Sequence, residues 1–496
     1  MGPPGRHDRA KVFGPMPHKR SSVLLTAALT LSLSLLGGAG SAHAAPVTVT
    51  NGTQFSDTTG NPVQAHGGGV IKVGQYYYWF GEDRNADNTF HYVSAYRSTD
   101  LKTWEFRNHV LTVASGAELA AGANIERPKV IFNSSTNQFV MWMHKEGSST
   151  DYSEGRVAVA TSGTVDGDYS YQGSFRPLGY DSRDMTLYKD DDGTAYLISS
   201  SSGNADLHVY RLSADYLSVE ALIASPSNGQ WREAPALFKR GGVYFLLTSS
   251  ATGWAPNQQQ YQTATSLTGS WSGLQDAGDP TTYRSQTAYV LPVQGTAGTG
   301  YLYMGDRWGN SMGGTVNDSQ YVWSSLKFPT ATTMTMDYAP QLTIDAAAGT
   351  VAGVGGPWER FSARSSGKCA DVANYDFAPS SPLIQWGCGA GANQNFWFKD
   401  LGTGYVQIMA RHSGRCLDVA GGSTADGAAV VQNTCNGATS QQWKVQKVTG
   451  TTYVKLLARH SNKCLDVTNQ STADGTALEQ WTCNTGTNQQ WQRSTV

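Results

Sequence analysis

Apolar and polar positions alternate in short runs along most of the chain, and no long stretch repeats with the helical period. Between Ala45 and about Asp345 one pattern recurs: a short apolar strand, a polar or glycine turn, then an aromatic-rich strand. The copies are Val70–Val73 with Tyr76–Phe80, Val130–Phe132 with Phe139–Met143, Met185–Tyr188 with Ala195–Ile198, Ala236–Phe238 with Val243–Leu247, and Ala288–Pro292 with Tyr301–Met304. Anchored on Tyr77, Phe139, Tyr196, Tyr244 and Tyr301, they are spaced by 62, 57, 48 and 57 residues. Five copies at that spacing predict a five-bladed β-propeller over residues 45–345. Asp190-Asp191-Asp192-Gly193 falls in one of the turns and, lacking the further ligand series of a calcium loop, reads as a turn.

The first 44 residues follow a different pattern. A basic stretch ending in Lys19-Arg20 precedes an apolar segment from Val23 to Leu36, then small residues and Ala42-His43-Ala44. This is the order of a secretory signal, and the mature chain is expected to start at Ala45. The apolar run is short for a membrane anchor and ends in Gly37-Gly38.

Composition narrows the class. With 496 residues, one compact core is too small a prior, and two or three domains are expected. Charged residues make up 15%, against the roughly 25% usual in soluble proteins, while 55 Gly, 24 Tyr and 14 Trp suit strands and tight turns. Beyond residue 44 there remain 31 basic and 37 acidic residues with no basic run, a poor match for nucleic acid or anionic lipid.

All six cysteines lie late, as Cys369 with Cys388, Cys416 with Cys435, and Cys464 with Cys483, each couple 19 residues apart. Zinc ligands do not space this way, and an exported chain meets an oxidising compartment, so three local disulfides are expected. Cys369-Ala370-Asp371-Val372, Cys416-Leu417-Asp418-Val419 and Cys464-Leu465-Asp466-Val467 open three units. Asn395-Phe396-Trp397, Gln441-Gln442-Trp443 and Gln489-Gln490-Trp491 close them. The repeat predicts a threefold all-β domain over 358–496 whose tryptophans share a core, joined to the first domain by a flexible Ala/Gly linker over 346–357.

These elements resemble the ricin-B-type β-trefoil lectins, the family 13 carbohydrate-binding modules. The resemblance implies a sugar site in each unit, made by an Asp, an aromatic two residues before the second Cys, and an Asn five residues after it. It assigns Asp371, Trp386 and Asn393 to the first unit and Asp466, Trp481 and Asn488 to the third. The second keeps Asp418 but has Asn433 for the aromatic and Ser440 for the Asn, so two competent pockets are expected. Carboxylate and amide would hold sugar hydroxyls while the ring covers the C–H face.

Upstream of the five hairpins stand His66, Glu126, Asp184, Glu233 and Gln286. The first strands of propeller blades line one channel, so these positions converge. Three carboxylates, an imidazole and an amide in one cleft suit the acid and water-activating base of glycoside hydrolysis, or else a network of paired ions bracing the channel. Ser182-Arg183-Asp184-Met185 and Arg232-Glu233-Ala234-Pro235 resemble segments of glycoside hydrolase family 43 that carry, in that order, a pKa-tuning carboxylate and the general acid. The family's basic Asp is missing from Gln64-Ala65-His66-Gly67-Gly68-Gly69. Together with Ile125-Glu126-Arg127-Pro128-Lys129 and Ser285-Gln286, its loss resembles the exo-β-1,3-galactanase subgroup.

That resemblance implies an inverting enzyme on β-1,3-galactan and arabinogalactan; with the leader it is expected to be secreted, as a monomer needing no cofactor or metal. Glu233 would be the acid, and Gln286 or Glu126 would serve the water. His66, Arg127, Tyr152, Asn204, Thr252, Asp306, Arg307 and Trp308 would surround the galactose. An α-L-arabinofuranosidase, a β-xylosidase, or a non-catalytic galactan-binding protein are the alternatives.

Overall fold

The computed structural model describes residues 1–2, 45–120 and 122–496; the expected leader over 1–44 lies, apart from its first two residues, outside the described residues. The chain is all-β, with single turns of 3-10 helix between strands. Five four-stranded antiparallel sheets follow one another, each with its strands paired in chain order. Their opening strands are His66–Val73, Asn124–Asn133, Met185–Lys189, Arg232–Arg240 and Gln286–Gly295. Each packs against the opening strands of the sheets before and after it, and the fifth packs against the first.

Both faces of a sheet are covered by its neighbours, which is why these strands carry apolar residues in near-continuous runs. Phe80, Val93 and Val110 of the first sheet meet Val130, Met141 and Ala158 of the second. On its other face Val70, Trp79 and Tyr96 meet Leu291, Leu302 and Trp323 of the fifth. The aromatic strands supply the wide side chains that fill the wedges between sheets.

The opening strands of the first, second and fourth sheets are bulged at matching places, after His66, Glu126 and Glu233. The next residue turns left-handed in each: Gly67 at φ 60°, Arg127 at φ 54° and Ala234 at φ 51°. Each turned amide donates to a carboxylate of the preceding sheet or its edge: Gly67 to Asp306 at 2.9 Å, Arg127 to Glu82 at 2.8 Å and Ala234 to Asp184 at 3.1 Å. A bulge re-aims the side chain beside it, here toward the ends of the opening strands. At Gly67 a Cβ would lie 2.3 Å from Glu82 Oε1, so glycine is required.

A smaller sheet ties Val47–Thr50 to Gln341–Asp345, which pairs in turn with Thr350–Val354. Asn51 fastens this join through hydrogen bonds to the Trp323 and Ala339 carbonyls at 2.6 and 2.9 Å. The stretch 346–357, expected as a flexible linker, therefore contains a paired strand. Its Ala/Gly composition serves a hairpin turn in which Asp345 accepts from the Ala347 and Ala348 amides and Gly349 takes φ 75°.

From Trp358–Ala363 to Trp491–Thr495, 12 strands form one continuous sheet, and the last pairs back on the first. The three disulfides join the expected partners. Phe361, Phe396, Trp443 and Trp491 are fully buried in its core. The first unit departs from the expected tryptophan core: Phe396 takes the position of Trp443 and Trp491, while Trp397, one residue on, is only half-buried. Strand alternation sends neighbouring side chains to opposite faces, so a one-residue offset changes which ring is inside. This sheet contacts the others through Tyr375, whose hydroxyl donates to Asp279 at 2.7 Å, and Phe377, whose ring lies 4.7 Å from the Arg307 guanidinium. Among the described residues no helix is long and apolar enough to cross a membrane.

Candidate active site

A pocket of about 300 Å³ opens at the starts of the opening strands, where the bulges aim Glu126 and Glu233. Asp184 and Gln286, at the corresponding points of the third and fifth sheets, also line it. Four of the five expected positions thus converge.

Glu233 is buried, and its two oxygens accept hydrogen bonds from Gln286 Nε2 at 2.9 Å and Asn204 Nδ2 at 3.1 Å. Burial first, then the Asp184 charge, push its carboxyl up to about 8, against the opposing pull of Arg127. Near neutral pH it is a carboxylic acid with a proton to give.

Glu126 has the opposite character. Its Oε1 accepts from Arg84 at 3.0 Å, Asn124 at 2.8 Å and Tyr152 at 2.6 Å, and its Oε2 meets His144 Nδ1 at 2.8 Å. Burial alone would raise its pKa, but His144, Arg84 and Tyr152 hold it well below the usual carboxylate range. His144 lies between Glu126 and Glu146, 2.9 Å from the latter. Burial would depress the imidazole, yet the two carboxylates push it up to about 9. Glu126, His144 and Asp184 bring ligand-type atoms within 4.8 Å of one another, but a protonated His144 with both nitrogens bonded has no lone pair for a cation.

Gln286 is locked on every side. Its Oε1 accepts from Arg127 at 2.6 Å and Trp308 Nε1 at 2.8 Å, and its Nε2 donates to Glu233 and to Ser249, each at 2.9 Å. Guanidinium and indole only donate, which fixes the amide oxygen toward them. The imidic-acid tautomer would place a hydroxyl proton there with nothing to accept it. Direct bonding to Glu233 also leaves no space between the two for an attacking water, against the expectation that Gln286 could serve the water.

Arg127 ties the site together, reaching Gln286, the Thr287 carbonyl at 2.7 Å and Asp184 at 2.9 Å. Tyr152, Asn204 and Trp308 line the pocket with it. The other expected residues do not. His66 is fully buried, stacked on Tyr321 at 4.9 Å, with its ring nitrogens bonded to Asp306 at 2.9 Å and Gln64 at 3.0 Å. Asp306 is consumed by that bond and by the Gly67 amide. Arg307 turns to Gln320, the Tyr283 carbonyl and Phe377. Thr252 bonds the Ala255 carbonyl at 2.6 Å, while its neighbours Ala251, Gly253 and Trp254 line the pocket.

Sequence reading missed Glu82, Arg84, His144 and Trp254. Glu82 and His144 sit directly across the ladder from His66 and Glu126. The available signal was a polar residue at the far end of an aromatic strand, opposite a site residue. Arg84 grips Glu82 through Nε and a second nitrogen at 2.9 and 2.6 Å.

In the C-terminal sheet the triads assemble as pairs of amides on a carboxylate. Asp371 accepts from Asn393 and Gln394, both at 2.8 Å. Asp466 accepts from Asn488 at 2.9 Å and Gln489 at 2.7 Å, and burial pushes its carboxyl up to about 6. Asn488 Oδ1 is buried without a partner. Trp386 and Trp481 stand 48% and 42% exposed beside them, large apolar faces left uncovered. In the second unit Asn433 itself donates to Asp418 at 3.1 Å and accepts from the Ser380 amide at 2.9 Å, closing the place where a ring would stand. Replacing Trp386 or Trp481 by alanine is therefore expected to weaken retention on immobilised galactan in affinity electrophoresis, and Asn433→Ala to leave it unchanged. Equal effects of all three would contradict a two-pocket arrangement.

Five sheets converge on a pocket that holds Glu126, Asp184 and Glu233, and residues 60–303 match the model of glycosyl hydrolases family 43. The chain belongs to that family and is a glycoside hydrolase. Residues 352–433, 392–481 and 439–496 match the ricin-type beta-trefoil lectin domain-like model. It is similar to an exo-beta-1,3-galactanase from Clostridium thermocellum, at 44% identity over 90% of this chain and 100% of that one, with a TM-score of 0.64. An exo-beta-1,3-galactanase from Phanerochaete chrysosporium, solved with beta-1,3-galactotriose, is 33% identical over 70% of this chain and 92% of that one, with a TM-score of 0.61. The same fungal enzyme solved with galactose aligns over 91% of this chain and 93% of that one, at 30% identity and a TM-score of 0.61. No curated protein matches the chain.

Proposed function

We propose that this chain is a secreted, inverting exo-β-1,3-galactanase that releases galactose from the non-reducing ends of the β-1,3-galactan chains of arabinogalactans. In this reading residues 1–44 are a cleaved leader, and the five sheets of 45–345 are the blades of a propeller. Residues 358–496 are a β-trefoil that holds the polymer, and the protein acts as a monomer. The relatives named exo-beta-1,3-galactanases support the substrate. The observation that carries the reading is the split between two pocket carboxylates, Glu233 pushed up to about 8 and Glu126 held far below its ordinary value.

In this mechanism Glu233 protonates the leaving oxygen as the glycosidic bond breaks, and Asp184 keeps it protonated until then. Water attacks from the opposite face. Its proton passes to Glu126, whose Oε2 carries one hydrogen bond and keeps room for a second. Gln286, with no free lone pair or proton, positions Glu233. A pocket of about 300 Å³ lined by these residues is the place proposed for the terminal sugar.

Incubating the mature protein with β-1,3-galactan, xylan and arabinan tests the proposal. Free galactose from the first alone, appearing initially as the α-anomer by NMR, is the expected result. Xylose or arabinose release would move the activity to a β-xylosidase or arabinofuranosidase, a nascent β-anomer would exclude inversion, and binding without release would leave a galactan-binding protein.

A further inference from the structure

Apart from the N-terminal methionine, Trp231 is the most exposed large apolar residue described, 57% open to solvent. It is held at φ 53°, a left-handed backbone that disfavours any bulky side chain. Its amide donates to the Ala205 carbonyl at 3.2 Å, and its carbonyl accepts from the Ala251 amide at 2.9 Å. Strain of this kind persists only where the surroundings enforce it, and it gathers at ligand clamps. The neighbours say which ligand: Ala205 follows Asn204, which bonds Glu233, and Ala251 lines the pocket beside Gly253 and Trp254. The next side chain, Arg232, is buried on Thr248 and Ser250, whereas the Trp231 indole remains in solvent two residues before the acid.

We propose that Trp231 is the stacking platform for the sugar on the leaving-group side of the cleaved bond, making it a specificity residue for chains over simple galactosides. The inference rests on the galactanase reading above. Glu233 gives its proton to the leaving oxygen, so the departing sugar leaves on the side of Asn204, which lines the pocket and bonds Glu233, and Trp231 is hydrogen-bonded to the next residue, Ala205. An indole covers the C–H face of a pyranose, and the exposed ring has no other described aromatic neighbour to satisfy.

The test compares wild type, Trp231→Ala and Trp231→Tyr on β-1,3-galactotriose and on β-galactosyl fluoride, which has no leaving sugar. For the alanine variant kcat/KM on the trisaccharide should fall about tenfold, mainly through KM, with fluoride hydrolysis unchanged. The tyrosine variant should recover most of the loss. Equal losses on both substrates would make Trp231 a structural residue, and no loss on the trisaccharide would remove it from binding; either overturns the proposal. A wild-type enzyme that hydrolyses the fluoride but not the trisaccharide overturns the galactanase reading and the platform with it.

Discussion

Glu233→Gln is expected to lower turnover on β-1,3-galactan by about 10²–10⁴-fold while leaving galactan binding intact, because it removes only a transferable proton. The amide keeps an oxygen for Gln286 or Asn204, so the pocket retains its shape. The pH profile gives a second check. With its carboxyl pushed up to about 8, Glu233 is protonated and active below that pH and loses its proton as pH rises through it. Wild-type activity should therefore decline on an alkaline limb near that value, a limb absent from the residual activity of the glutamine variant. A variant keeping more than about a tenth of wild-type turnover would place the acid elsewhere.

Glu126→Gln should cost a comparable factor, about 10²–10⁴-fold, since it replaces the ionised acceptor by a neutral amide facing Arg84 and His144. The comparison with Gln286→Ala separates two accounts of water activation. If Gln286 only positions the acid, its alanine variant loses less, about 10–100-fold, and its alkaline limb moves to higher pH. The sign follows from the hydrogen bond to Glu233, which lowers that carboxyl's pKa; without it the proton is held to higher pH. A Gln286→Ala enzyme as inactive as the Glu126 variant, with an unmoved limb, would return the water to Gln286.

Much of the architecture was readable from residue order, because aromatic strands alternating with turns, and cysteines at a constant spacing, are local signals. Side-chain direction was not. His66 and Glu126 stand at equivalent points, just before the bulges of their strands, yet the first turns into Asp306 and Tyr321 while the second faces the pocket. Asp306-Arg307-Trp308 looked like one cluster, but successive side chains diverge, and only Trp308 reaches the pocket. The partners that set the protonation states, Glu82, Arg84 and His144, come from second strands, so finding them required the pairing register between strands. Phe396 displaced Trp397 from the core for the same reason.

The join between Val47–Thr50 and Gln341–Asp345 bears on how the molecule comes into being. Asn51 contacts backbone 272 and 288 positions later in the chain, among the longest-range bonds in the protein. Each four-stranded meander can form from local contacts as the chain is synthesised, but this latch must wait for all five. Non-local closure of that length is slow. Until it forms, the edge strands at the seam stay open to other chains, so the hazardous interval for aggregation lies between the emergence of the first sheet and that of residue 345.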